Sequence, residues 1–348
     1  MDFNKLFDQY LVLVNRLVPK PATLPVIGID IGTSAIKAVE VGTKAGGMEI
    51  RRWAVEPLAD KDPVSALKKI AEHLHLDGQL LVSAVSGKGS LIRFLDMPRI
   101  SLEDLRKSFV FDLDKYLPFD PQSIYTDCAI LDPEGKDKRM FVMLAAVKKE
   151  IADERLKLFK DAGLELHRLT INSIAMANAF KSLGPAAGTT GNAKAVLDIG
   201  SSISCLMIFK DSTPRFARDV FVGSQELTKQ IAAALGVDIQ QAEAIKCKPG
   251  DKLAAVIDAC DTPISNLVTE IRLSMDYFMT EKNVQVDELF LSGGGSLLKG
   301  LEGVFEKNLG VRVEIWDPLD NARLNTSQAP ADIKTYAAQF GVALGLGI

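Results

Sequence analysis

The 348-residue sequence predicts an α/β protein made of two duplicated halves, and three observations lead to this fold class. A strand-like apolar run ends at Asp30, where glycine and hydroxyl residues follow the acid, and the same pattern returns at Asp198. Consecutive strands open each half, and alternating strands and helices follow them. Between the halves, the segment 182–193 is rich in glycine, alanine and threonine and almost without charge, which is typical of a linker.

The hydrophobic pattern then predicts the individual elements. The first half is expected to contain, in order, strands over 26–30, 35–41 and 48–55, a helix over 63–74, strands over 79–85 and 91–97, a helix over 105–117 behind a Ser101 cap, strands over 125–131 and 139–147, a helix over 148–163, a strand over 164–171 and a helix over 173–180. The second half is expected to contain strands over 195–199, 203–210 and 214–221, helices that include 263–280, a strand, glycine turn and helix over 288–305, a strand over 311–316 and a closing helix over 333–347.

Composition excludes several classes of protein. The formal net charge of −4 provides no basic field that would attract nucleic acid. The four cysteines form no C-x-x-C pair, which speaks against a zinc site or a disulfide framework and favours a reducing cytoplasm. No uninterrupted apolar run approaches the roughly 20 residues that span a bilayer.

Residues 1–24 are expected to form an amphipathic helix and a proline-rich linker. Apolar side chains from Phe3 to Val18 fall along one helical face. The first interpretation is that this face packs on its own domain or on a partner. Binding to a membrane surface is the alternative, which the mixture of Lys5 and Arg16 with Asp2 and Asp8 makes less favourable.

Two kinds of chemistry use a duplicated acid that glycine and hydroxyl residues follow. In aspartic proteases two carboxylates share a proton, but those enzymes need a hydroxyl residue directly after the acid, where Ile31 and Ile199 stand. In a nucleotide clamp, backbone N–H groups of both turns hold phosphate oxygens, and each acid holds hydrated Mg²⁺. The second chemistry assigns Asp30 and Asp198 to the metal. The phosphate-binding candidates are Gly32, Thr33, Ser34, Gly200, Ser201 and Ser202.

Three further features favour the nucleotide clamp. Lys37 is placed on a hairpin from which its ammonium group can return toward phosphates. Glu243 and Lys246 lie at i and i+3 of a helix, so both can face a ribose or adenine from one side. The turn at Gly293, Gly294, Gly295 and Ser296 lies between a strand and a helix, where missing side chains let a base or phosphate approach.

With these motifs, the chain resembles the actin, Hsp70 and FtsA superfamily of ATP-binding proteins, which has a ribonuclease H-like fold around a nucleotide cleft. DIGTSAIK and DIGSS resemble its two phosphate turns, and LSGGGSLLKG resembles its adenosine turn. The resemblance implies ATP and Mg²⁺ as ligands and an FtsA-type inserted subdomain. The implied divisions are 25–96 with 149–190 for the first half, 97–148 for the inserted subdomain, 191–222 with 284–348 for the second half, and 223–283 for subdomain 2B. The final helix of the second half is an element that could instead pack back on the first half.

Within that superfamily the chain is most similar to the PilM family of type IV pilus assembly. The resemblance implies a cytoplasmic protein at the inner membrane that binds the N-terminal cytoplasmic tail of PilN, and through it connects PilO and PilP with the pilus motor ATPases. It assigns no residues to the peptide groove. The alternatives are a filament-forming, self-associating FtsA-like ATPase and an ATPase or kinase that turns over.

Asn172 stands where catalytic members of the superfamily carry a glutamine or glutamate that orients the attacking water. Asparagine can bind water, but it is shorter than glutamine and cannot act as a base. The sequence therefore predicts ATP binding with weak or absent hydrolysis.

Overall fold

The computed structural model describes residues 25–44, 47–58, 62–135, 137–185, 192–324 and 331–348. The helix predicted within residues 1–24 lies outside this part of the chain, as do residues 186–191 of the predicted linker. Of the described helices, none is long and apolar enough to cross a membrane.

Strands and helices alternate along the described chain much as the sequence pattern predicts. The strands are β1 (Val26–Ile31), β2 (Ala35–Lys44), β3 (Gly47–Pro57), β4 (Leu80–Val85), β5 (Ser90–Pro98), β6 (Ile124–Ile130), β7 (Arg139–Lys148), β8 (Arg168–Ile171), β9 (Ala193–Ile199), β10 (Ser204–Lys210), β11 (Thr213–Val220), β12 (Val286–Ser292), β13 (Arg312–Ile315) and β14 (Arg323–Leu324). The helices are α1 (Pro63–Leu74), α2 (Leu102–Tyr116), α3 (Lys149–Asp161), α4 (Asn172–Leu183), α5 (Ser224–Leu235), α6 (Ile239–Cys247), α7 (Leu253–Ala259), α8 (Asp261–Lys282), α9 (Leu301–Leu309) and α10 (Gly341–Leu346).

Two sheets repeat one topology. The first has the order β14-β3-β2-β1-β4-β8 and the second the order β11-β10-β9-β12-β13. In both, three consecutive strands pair antiparallel, and two later strands then add in parallel beside the first of the three. The parallel additions need crossover connections, and helices provide them. The duplication predicted from the sequence is therefore present strand for strand, with β14 as an extra edge strand.

A third, antiparallel sheet has the order β5-β7-β6 and packs against α2. The Ser101 hydroxyl accepts a hydrogen bond from the backbone N–H of Asp104 at 3.1 Å, so the predicted cap is confirmed. The sheet spans 90–148, and the assignment of 97–148 to an inserted subdomain stays a prediction.

One apolar core lies between the two halves. It joins strands of both large sheets through α4 and α10, and the rings of Phe180 and Trp316 meet edge to face at 5.2 Å within it. Separate cores fill the outer side of each large sheet and the interior of the third sheet. Since the shared core connects both halves, it fixes the ends of β1 and β9 relative to each other.

The closing segment returns to the first half, where α10 packs on α4 and β1. The prediction of one helix over 333–347 is wrong, because Ala331–Gln339 form a 3₁₀ helix and α10 begins only at Gly341. A continuous α-helix would need the carbonyl of Ala338 for its own ladder. That carbonyl instead accepts hydrogen bonds from the Ser292 hydroxyl at 3.0 Å and from the Gly293 N–H at 2.6 Å.

Candidate functional site

The first acid turn follows β1. Asp30 is paired directly with Lys37 across the β1–β2 hairpin, and the lysine ammonium lies 3.0 Å from the carboxylate. The turn closes through a hydrogen bond from the Gly32 N–H to the Ala35 carbonyl at 3.1 Å. Lys37 is thus held beside the first acid turn by strand register rather than by a flexible loop.

The second acid turn repeats this geometry after β9. Asp198 is paired with Cys205 across the β9–β10 hairpin, and the Gly200 N–H donates to the Ile203 carbonyl at 3.2 Å. The second acid, glycine and carbonyl each lie 168 residues after their counterparts in the first turn. Cys205 occupies the position equivalent to Lys37, so only the first turn supplies a cation.

The two turns face each other across one cleft, where the hydroxyls of Thr33 and Ser202 lie 3.0 Å apart. The cleft contains a cavity of about 550 Å³. The residues predicted from the sequence that line it are Asp30, Gly32, Thr33, Ser34, Lys37, Asn172, Asp198, Gly200, Ser201, Ser202, Glu243, Lys246, Gly293, Gly294 and Gly295. Ser296 does not line it, because this residue is fully buried and its hydroxyl donates to the Gly293 carbonyl at 2.7 Å.

Three ionisable side chains meet at the base of the cleft, where Asp30 is buried and Lys37 and Asp198 are half-buried. Burial, together with the nearby charge of Asp30, raises the pKa of Asp198 to about 7. Burial by itself would lower the pKa of Lys37, but the neighbouring carboxylates of Asp30 and Asp198 raise it above its usual value. Because the pKa of Asp198 lies near neutral pH, its carboxyl is partly protonated there, and a divalent cation would favour the ionised form.

At the other end of the cleft, Lys246 is bound within the protein. Its ammonium donates to Thr228 at 2.7 Å, to Glu243 at 2.7 Å and to the backbone carbonyl of Ser224 at 3.3 Å. Thr228 also donates to Glu243 at 2.6 Å. Although burial would raise the pKa of Glu243, these hydrogen bonds lower it below its usual value. Glu243, whose side chain is 51% exposed, is therefore held ionised and facing the cavity.

The three-glycine turn lies against the second acid turn. Gly293 has φ = +81°, and a Cβ there would lie 2.5 Å from a carboxylate oxygen of Asp198 and 2.5 Å from the Ile199 carbonyl. Only glycine fits this conformation and this space. The glycine turn can therefore lie directly against Asp198 at the wall of the cleft.

Sequence reasoning missed several residues of the cavity. Tyr336 and Gln339 line it from the 3₁₀ segment, and Lys248 lines it from the end of α6. Thr228 joins the network behind Glu243 from a different helix. Nothing in the local pattern of these residues distinguishes them from ordinary helix positions, because only the fold brings them to the cleft.

Comparisons with known proteins agree with this architecture. The family model described as type IV pilus assembly protein PilM matches residues 28–348. The solved structure of a PilM–PilN type IV pilus biogenesis complex has a chain that is 24% identical, with a TM-score of 0.81 over 94% of this chain and 98% of that one.

More distant structures share the fold. EutJ, the ethanolamine utilization protein of Carboxydothermus hydrogenoformans, is 14% identical with a TM-score of 0.54, covering 97% of this chain and 96% of its own. MreB 5 of Spiroplasma citri bound to AMPPNP is 11% identical with a TM-score of 0.52, covering 93% and 95%. The predicted actin-like fold is confirmed. Because the family model spans nearly the whole sequence, the chain belongs to the PilM family of type IV pilus assembly proteins.

Proposed function

We propose that the cleft binds ATP together with Mg²⁺. The single observation that carries this proposal is the convergence of both acid turns, Lys37, Glu243 and the three-glycine turn on one cavity of about 550 Å³. Cavities that bind small molecules have volumes of about 300–1,000 Å³. MreB 5, a distant relative by fold, was solved with the nucleotide analogue AMPPNP.

The phosphate end of the site is built from backbone and charge. Both turns line the cavity from opposite halves, and a concavity of backbone N–H groups favours phosphate oxygens. Because the N–H groups of Gly32 and Gly200 are engaged within their turns, we assign the phosphate contacts to the hydroxyl residues that follow them. When the nucleotide is bound, the ammonium group of Lys37 lies between Asp30 and the phosphates and neutralises phosphate charge. The hydroxyls of Thr33 and Ser202, which contact each other here, are placed to exchange that contact for phosphate oxygens.

The donor set at Asp30 and Asp198 fits Mg²⁺. Both acids are oxygen donors, and a cation would offset the burial and the charge of Asp30 that together raise the pKa of Asp198. One or two carboxylates, water and the phosphates would hold the cation jointly. When bound, Mg²⁺ would neutralise phosphate charge.

The adenosine end is assigned to Glu243 and the glycine turn. Because the ammonium of Lys246 is already engaged by Ser224, Thr228 and Glu243, we propose that Lys246 positions Glu243 rather than binding the nucleoside itself. Glu243 then accepts from ribose hydroxyls. Asn172 lines the cavity from the first turn of α4, and its short amide supports weak hydrolysis at most.

Retention of nucleotide tests this proposal. The protein is incubated with Mg·ATP, desalted and denatured, and the released nucleotide is identified. We expect intact ATP from the natural sequence and none from Asp198→Asn, since that variant lacks one of the two carboxylates that face the cation.

Release of ADP instead of ATP would show that another residue positions the attacking water and that the protein turns over. Equal ATP from both samples would contradict the assignment of Asp198. Absence of nucleotide from both would refute the clamp as a binding site. Asp276→Asn, an exposed acid on α8, is the matched control and should retain ATP.

We further propose that the protein is an actin-like scaffold on the cytoplasmic side of the inner membrane, where it binds the N-terminal tail of PilN and through it reaches PilO, PilP and the pilus motor. The family match and the fold likeness to the PilM–PilN complex support this function. They favour it over a filament-forming or rapidly hydrolysing ATPase.

A second cavity offers a place for the PilN tail. It measures about 420 Å³ and lies between β5 of the third sheet and β11 of the second half. Its apolar walls include Ile92, Phe119, Phe216 and Phe221. At its edge, Asp219 accepts a hydrogen bond from the Gly87 N–H at 2.8 Å, which connects the two halves. An extended tail with apolar side chains could anchor here by its alternate residues.

Phe221→Ala tests this placement. Phe221 is 52% exposed at the cavity, so its loss should leave the fold intact while removing an aromatic anchor. We expect the Kd for a synthetic PilN N-terminal peptide to rise roughly tenfold by calorimetry. Phe111→Ala is the matched control, because Phe111 is 84% exposed on α2 and does not line the cavity. An unchanged Kd for Phe221→Ala would place the peptide elsewhere.

A further inference from the structure

A third cavity, of about 320 Å³, lies away from the residues assigned to nucleotide and peptide. Three elements enclose it: the third sheet, the β10–β11 hairpin and the end of α8. Its cationic lining residues are Lys210, Arg215 and Lys282. None of these belongs to the nucleotide cleft or to the cavity beside Phe221.

Arg215 is fixed in place but incompletely bonded. Its guanidinium lies over the ring of Phe141 at 4.1 Å, and that ring stacks on Phe94 at 5.8 Å with planes only 7° apart. Its Nε is the one buried side-chain nitrogen or oxygen in the described part of the chain that has no hydrogen-bond partner. A buried donor without an acceptor is costly, so such a group calls for an explanation.

The remaining charges leave the cavity cationic. Asp96 forms an ion pair with Lys282 at 3.6 Å, and Asp211 lies exposed in the hairpin turn. Three cations thus face two acids, of which one is already paired. The planar guanidinium of Arg215 suits two oxygen atoms of one oxyanion, and the two lysines add point charges.

We propose that this cavity binds a small oxyanion, either inorganic phosphate or a small phosphate ester, with Arg215 as the principal contact. A bound oxyanion neutralises the unpaired cationic charge, and a small shift of the Arg215 side chain would give its Nε an acceptor. The volume exceeds the need of a free phosphate and leaves room for a small organic group. Because its walls come from the third sheet and from the second half, a bound oxyanion would join these two parts.

The test measures thermal unfolding with inorganic phosphate, and separately with glycerol phosphate, against chloride at equal ionic strength. Ligand that binds only the folded state raises the melting temperature. We expect millimolar phosphate to raise it by roughly 2–4 °C. Arg215→Gln should abolish the rise, and Arg93→Gln, which removes an exposed arginine outside this cavity, should retain it.

The nucleotide cleft also attracts phosphate, so Lys37→Gln is run beside these variants. Retention of the rise in Lys37→Gln and its loss in Arg215→Gln support the proposal. The reverse pattern, or no rise in the natural sequence with either inorganic phosphate or glycerol phosphate, overturns it while leaving the nucleotide assignment standing. Phosphorus NMR line broadening with each folded variant provides a reading that does not depend on stability. A rise with glycerol phosphate alone identifies the ester as the ligand.

Discussion

Replacing Asp198 by asparagine should make the folded protein more stable at pH 8, although it removes a residue of the nucleotide site. In the folded protein, burial and the charge of Asp30 raise the pKa of Asp198 from 3.8 to about 7. The folded state therefore holds a proton that the unfolded chain has already released. The stability that this proton contributes to the folded state is fully present below pH 4 and is lost as the pH rises through 7. The full shift corresponds to at most about 4 kcal/mol.

Urea denaturation of the natural sequence and of Asp198→Asn at pH 5 and pH 8 measures this effect. The asparagine cannot ionise, so the difference in the free energy of unfolding should widen by about 2–3 kcal/mol between the two pH values. Asp276→Asn should show no such widening. If the natural sequence and Asp198→Asn respond to pH alike, the carboxylate is not held in a destabilised state. Combined with the retention experiment, the expected result separates folding from nucleotide binding, since one substitution would improve the first and abolish the second.

Gly345→Ala should destabilise the protein by about 3 kcal/mol or more. Gly345 lies in α10, where a Cβ would overlap the backbone carbonyl of Ala175 in α4. Backbone cannot move aside as a flexible side chain can, so α10 must shift away from the core between the halves. Gly28 meets the opposite face of the same helix, where a Cβ would overlap the Ala343 carbonyl. The helix is thus held closely from two sides.

Gly303→Ala is the matched control. Gly303 lies exposed in α9 with open space around the position of its missing Cβ. Alanine there should stabilise the protein by about 0.5–1 kcal/mol, because it favours the helix. Urea denaturation of both variants gives the free energies of unfolding that test this pair of predictions. Equal small effects would show that α10 relaxes without cost.

The sequence predicted the architecture well, because it carries the same signal twice. The 168-residue offset between Asp30 and Asp198 reappears in the two sheets, which share strand order and direction. Both turns end a central strand, so a local pattern alone was enough to place them. The functional roles of their residues stay predictions until nucleotide binding is measured.

What sequence reasoning missed depends on contacts between distant segments. Thr228 and Lys246 come from neighbouring helices, and only their packing shows that the lysine is engaged behind Glu243. The break between Gln339 and Gly341 depends on the glycine turn near Gly293, which takes the Ala338 carbonyl. No local periodicity encodes a hydrogen bond that is 45 residues away in the chain.

The return of α10 to β1 has a consequence for how the chain is made. Residue 26 leaves the ribosome long before residue 341, yet the core shared by the two halves includes side chains of α10. During synthesis the sheet around β1 therefore lacks one of its covering layers, and its apolar face stays open to chaperones or to wrong partners. The outer core of the first half and the core of the third sheet contain no residue of α10 and can form earlier. Closure of the shared core would then be the last event, and slowed translation near residue 340 should prolong the exposure of that face.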